Sequence, residues 1–172
     1  MRAFRFSAFA SALLLLASCG KRGSWPEGME PIQWDRDTCV SCAMAISDPR
    51  FAVELRHEKS AKGALKFDDI GCLIAWTNGT TRRTGQPPWW EDPEAQVWVA
   101  DFNSPVENRK ALRWLDVRTA RYIVRSSPMG YNLAAVEKAD ETSIGFDEIL
   151  QFEQAHWHGG GHHDGHGHGA DR

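Results

Sequence analysis

The chain has 172 residues, with 20 Lys and Arg against 23 Asp and Glu, for a formal net charge of −3. That length suits one domain with a modest core. The acidic balance lacks the basic footprint that phosphate backbones require, so it argues against nucleic acid as a partner and in favour of a cation.

Arg2 and Arg5 precede an apolar run over residues 6–17, about a dozen long. This is the length of a signal h-region and falls short of the roughly 20 residues a spanning helix needs. Leu16-Ala17-Ser18-Cys19 closes the run and resembles the bacterial lipobox. The resemblance implies removal of residues 1–18 and lipidation of Cys19. A soluble domain would then be held to a bacterial membrane on its periplasmic, extracytoplasmic side, by acyl chains worth about 0.8 kcal/mol per buried CH2. Residues 19–33 carry breakers and little periodicity and are expected to form the anchor and a tether, with the fold starting near Trp34.

Phe51, Val53 and Leu55 alternate with smaller or charged residues, as do Leu65 and Phe67, which predicts two paired strands. Asp68 and Asp69 signal a helix start, Ile70, Leu73, Ile74 and Thr77 follow at helical spacing, and Asn78-Gly79 reads as its end. A polar loop over 80–92 then leads to a strand carrying Val97, Val99 and Phe102. The second half echoes this order, with strands at 122–124 and 133–136 and a helix over 143–154 whose apolar face is Phe146, Ile149, Leu150 and Phe152. The fold class expected is α+β, as two tandem β-β-α-β modules (34–104 and 105–155) with small antiparallel or mixed sheets. Residues 156–172 are nearly all His and Gly and are expected to be a disordered tail.

Cys39-Val40-Ser41-Cys42-Ala43-Met44 is the sharpest chemical feature. Two thiols separated by two residues can aim at one point, and a thioether lies two residues further on. Soft sulfur favours Cu(I) over hard cations, and the Met argues against Zn(II), which prefers thiolate, imidazole and carboxylate. The structural alternative is a Cys39–Cys42 disulfide in an oxidising compartment, although so short a loop constrains little chain entropy. With Cys19 lipidated, three cysteines remain, an odd number that no complete disulfide framework accommodates. Cys72, within the predicted helix, reads as a small buried hydrophobe and not as a ligand.

Met129 lies in the turn Ser127-Pro128-Met129-Gly130, which either holds its thioether toward a site or leaves it as an ordinary Met. His57 reads as a solvated or hydrogen-bonded residue. The imidazoles of His156, His158, His162, His163, His166 and His168 could buffer a second metal, or the tail could serve only solubility. Trp89 and Trp90, in the Pro-rich loop, either mark a contact surface or pack as the other tryptophans do.

The lipobox, Cys-x-x-Cys-x-Met, Phe67-Asp68-Asp69-Ile70-Gly71-Cys72 and Ser127-Pro128-Met129-Gly130 together resemble the NosL family of copper-binding accessory lipoproteins. The resemblance covers most of residues 19–155. It implies a monomeric chaperone, not an enzyme, that carries Cu(I) to the nitrous oxide reductase maturation machinery, including an associated periplasmic protein and an ABC transporter. It also implies Cys39, Cys42, Met44 and Met129 as metal ligands. Ala43 stands where the family more often has Gly. The competing enzyme reading is a membrane-tethered thiol-disulfide oxidoreductase using Cys39 and Cys42, which lacks the usual strand–helix placement of the pair.

Overall fold

A computed structural model describes residues 25–57, 63–109 and 111–157, apart from the side chains of 152–157. The architecture is α+β. Strands β1 (Val53–Arg56) and β2 (Leu65–Phe67) are followed by helix α1 (Ile70–Thr84), β3 (Gln96–Ala100), β4 (Trp114–Asp116), β5 (Arg121–Val124), β6 (Leu133–Val136) and helix α2 (Phe146–Trp157). They make a four-stranded antiparallel sheet in the order β2-β1-β3-β4 and a two-stranded hairpin of β5 and β6.

The register follows the alternation in the sequence. Val53 lies opposite both Phe67 and Val99, and Leu55 opposite both Leu65 and Val97, so these side chains share one face. Helix α1 buries Ile70, Cys72, Leu73, Ile74 and Thr77 in the same core, contributing about 25 cal/mol for each Å² of apolar surface removed from water.

The other face of the sheet carries Glu54, Lys66, Trp98 and Trp114, and the segment expected to be a tether covers it. Met29 and Ile32 are buried in the main core, Trp25 stacks on Trp114 at 5.2 Å, and the Glu30 amide donates to Glu54 Oε1 at 2.7 Å. Residues 25–33 therefore belong to the fold. Aromatic and aliphatic anchors interleaved with Pro and Gly seat an irregular segment without giving it a helical or strand period.

Two further expectations are corrected, and the open reading of the tryptophan pair is decided. Helix α1 runs past Asn78-Gly79 to Thr84 and stops at Gly85, whose φ of 69° supplies the left-handed cap. Strand β4, from the segment assigned to the second module, hydrogen-bonds to β3 and completes the first sheet. Trp89 is buried and packs with Trp90 on Phe146 of α2, which makes the tryptophan pair core and not a contact surface. No helix among the described residues is long and apolar enough to cross a membrane. The expected leader over residues 1–18, Cys19 and the segment from residue 158 lie outside the described residues.

Candidate metal centre

The Cys39–Met44 segment is a tight loop closed at its base by a Thr38–Ala45 bridge. The Cys39 amide donates to the Met44 carbonyl at 2.8 Å and the Ala43 amide to the Cys39 carbonyl at 2.9 Å. The loop is pinned to the sheet where the Val40 amide donates to the Lys66 carbonyl of β2 at 3.0 Å. Ala43 makes the closing bend with φ of 61°, a left-handed conformation that costs an L residue roughly 1–2 kcal/mol.

Two residues after β2 the chain turns into α1. Asp69 is its N-cap, and its Oδ1 accepts from the Cys72 amide at 2.9 Å. Cys72 therefore sits in the first helical turn, close under the end of the sheet to which the Cys39 loop is pinned. The sulfurs of Cys39, Cys42 and Cys72 all lie within 4.8 Å of one another and could hold a metal ion. All three are free thiols, with Cys39 and Cys72 buried and Cys42 half-buried. Sulfurs about 2.3 Å from a central ion in a trigonal plane stand about 4 Å apart, so small side-chain rotations close this trio on one ion.

The electrostatics of the cluster favour one thiolate. A hydrogen bond from Cys72, supported by the amides of Cys42, Asp68 and Ser41, holds the Cys39 thiol down to about 5 against the opposing effect of burial. The positive end of α1 acts in the same direction. Burial, partly offset by the Met44 amide, raises Cys42. Cys72 is pushed up strongly, first because it donates to Cys39 and then by burial and the charge of Asp69. Asp68 is buried with no partner for Oδ1 among the described residues, and its carboxyl rises to about 6 through burial and the charges of Asp69 and Cys39. Anionic sulfur beside the carboxyl groups of Asp68 and Asp69 disfavours further negative charge and favours a cation.

Sequence reasoning placed Cys39 and Cys42 at the centre and passed over Cys72, which the structure makes the third thiol. The odd cysteine count and the Asp-Asp-Ile-Gly-Cys helix start were the available signals. Met44 follows Cys42 by two residues with its side chain 57% exposed. Met129 is half-buried against the main core, on a turn tied to the N-terminus of α1 by a 2.9 Å hydrogen bond from Ser127 Oγ to Asp69 Oδ2. Tyr131, two residues further on, lies against Gly71, where a Cβ would come within 2.0 Å of its ring. His57 lies elsewhere and hydrogen-bonds Asp92 at 2.5 Å. His156 falls in α2 with its side chain outside the described residues, and His158, His162, His163, His166 and His168 lie outside them altogether.

No family model matches the chain, and no curated protein matches it. Among solved structures, the chain is similar to the crystal structure of the copper chaperone NosL from Shewanella denitrificans, with 21% sequence identity and a TM-score of 0.49 over 74% of this chain and 98% of that one.

Proposed function

We propose that this protein is a Cu(I)-binding lipoprotein that delivers copper for maturation of the copper centre of nitrous oxide reductase. The observation that carries the reading is the convergence of Cys39, Cys42 and Cys72 within 4.8 Å. Soft thiolates select thiophilic ions, and Met44, two residues after Cys42 in the same loop, inclines that choice toward Cu(I). Three ligands leave an open coordination position, which a carrier needs in order to release its cargo by ligand exchange. Copper is substrate here, and no covalent chemistry is required of the protein.

The lipobox at Cys19 supports attachment to a bacterial membrane on the periplasmic side. The motif resemblance supports the reductase maturation machinery, with its periplasmic protein and ABC transporter, as the destination, and the chaperone as a monomer.

The oxidoreductase alternative needs an exposed, low-pKa thiolate. The arrangement is the reverse: the acidic thiol, Cys39, is 2% exposed, and the more accessible Cys42 is shifted upward.

A cell lacking the protein, complemented with variants, tests the proposal. Wild-type protein is expected to restore copper to the reductase, and Cys39→Ser, Cys42→Ser and Cys72→Ser are each expected to fail. Full restoration by the triple serine variant would overturn it, and insulin-reductase turnover by the purified protein would favour the alternative.

A further inference from the structure

Trp25 stacks on Trp114 at 5.2 Å and on Trp34 at 6.5 Å. All three are half-buried, so one patch carries three indoles that remain partly open to solvent. The Arg109 guanidinium lies over the Trp34 ring at 5.8 Å and pairs with Asp35 at 3.2 Å, and Arg36, two residues after Trp34, is exposed. Indoles, with an apolar body and a polar N–H tip, favour the headgroup layer of a bilayer, and flanking guanidinium groups suit its phosphates.

Chain length brings this patch to a membrane. Gly20-Lys21-Arg22-Gly23-Ser24 alone separate Cys19 from Trp25, a stretch that reaches at most about 20 Å at full extension. A domain of this size is roughly 35 Å across, so a chain acylated at Cys19 cannot bring its far side to the bilayer. Lys21 and Arg22 add positive charge suited to anionic headgroups. Resting on the lipoprotein reading above, we propose that the patch of Trp25, Trp34 and Trp114 is a membrane-docking surface, seated in the headgroup layer of the phospholipid bilayer that holds Cys19. The metal centre is carried with it. From Trp34 the chain runs into the cysteine loop through Asp35, whose amide donates to the Ile46 carbonyl, and Thr38, bridged to Ala45. Cys39 follows Trp34 by five residues, at most about 17 Å of chain, so the thiols stand close to the bilayer surface and not at the end of a long tether.

Quenching of tryptophan emission by brominated lipid tests the docking. The full acylated chain is reconstituted into vesicles of phosphatidylethanolamine and phosphatidylglycerol that contain no other protein, with acyl chains either brominated near the headgroups or unbrominated. Wild type is expected to lose emission to bromine, and Trp25→Phe and Trp34→Phe are each expected to reduce that loss by about a third, one indole of three. Trp89→Phe, in the core against Phe146, is expected to leave it unchanged. Wild-type emission indifferent to bromine, or a loss that both patch variants leave intact, would overturn the proposal. Mass spectrometry of the same preparation reads acylation separately: an unmodified Cys19 would overturn the lipoprotein reading itself.

Discussion

Ser127 and Asp69, 58 positions apart, are joined by a 2.9 Å hydrogen bond from the serine hydroxyl to the buried carboxylate. The other oxygen of Asp69 caps the Cys72 amide. One carboxyl group therefore fixes both the helix start that presents Cys72 and the turn that carries Met129.

Asp69→Ala removes a helix cap and a hydrogen bond together and is expected to cost roughly 2 kcal/mol. Ser127→Ala, which spares the cap, is expected to cost about 1 kcal/mol. Urea denaturation of the metal-free protein measures both. Equal losses from the two variants would mean that the cap contributes nothing.

Two glycines of the same helix are expected to respond with opposite sign. A Cβ on Gly71 would overlap the Tyr131 ring, whereas one on Gly79 meets nothing within 4 Å. Gly71→Ala is expected to destabilise by about 1–3 kcal/mol through overpacking. Gly79→Ala is expected to stabilise by up to about 1 kcal/mol through helix propensity. Thermal unfolding of the two variants side by side is the check.

Ala43 adopts φ of 61° in the cysteine loop. Relief of that conformation, less the added freedom of the unfolded chain, is expected to make Ala43→Gly more stable by roughly 0.5 kcal/mol. A drop in the denaturation midpoint would count against the loop conformation described.

Glu54 is fully buried under the N-terminal segment, with Oε1 bonded to the Glu30 amide and Oε2 without a partner among the described residues. Burial raises its carboxyl to about 7 from the ordinary 4.5. The folded state thus holds the proton more tightly than the unfolded chain. The resulting stability is complete below pH 4.5 and is lost as pH rises through 7, by up to about 3 kcal/mol. Glu54→Gln is expected to flatten this contribution and to be more stable than wild type at pH 8, as read by urea midpoints across pH. Identical pH profiles for the two proteins would show that Glu54 does not ionise in this range.

The strands β1, β2 and β3 were legible because their core-facing residues, Val53 and Leu55, Leu65 and Phe67, and Val97 and Val99, recur at every second position. Strand β4 was not, since Trp114-Leu115-Asp116 is too short to show a period and owes its place to pairing with β3. Asn78-Gly79 carries the chemistry of a helix stop, but Thr77 is still buried in the core and packing overrides the local preference, so the helix continues to Gly85. Cys39 and Cys42 announced themselves by their spacing. Cys72 did not, because its approach to them is a tertiary event: a loop pinned to β2 and a helix that begins two residues after it. Burial, which made Cys72 read as packing, is also what places it beside Cys39 and Cys42.

The most direct test of the central claim is copper K-edge absorption on reduced protein lacking residues 158–172 and loaded with one equivalent of Cu(I). The account predicts a tightly held monovalent ion surrounded by sulfur alone, with sulfur coordination falling by one in Cys72→Ser. A spectrum dominated by nitrogen or oxygen donors, or one that Cys72→Ser leaves unchanged, would contradict it.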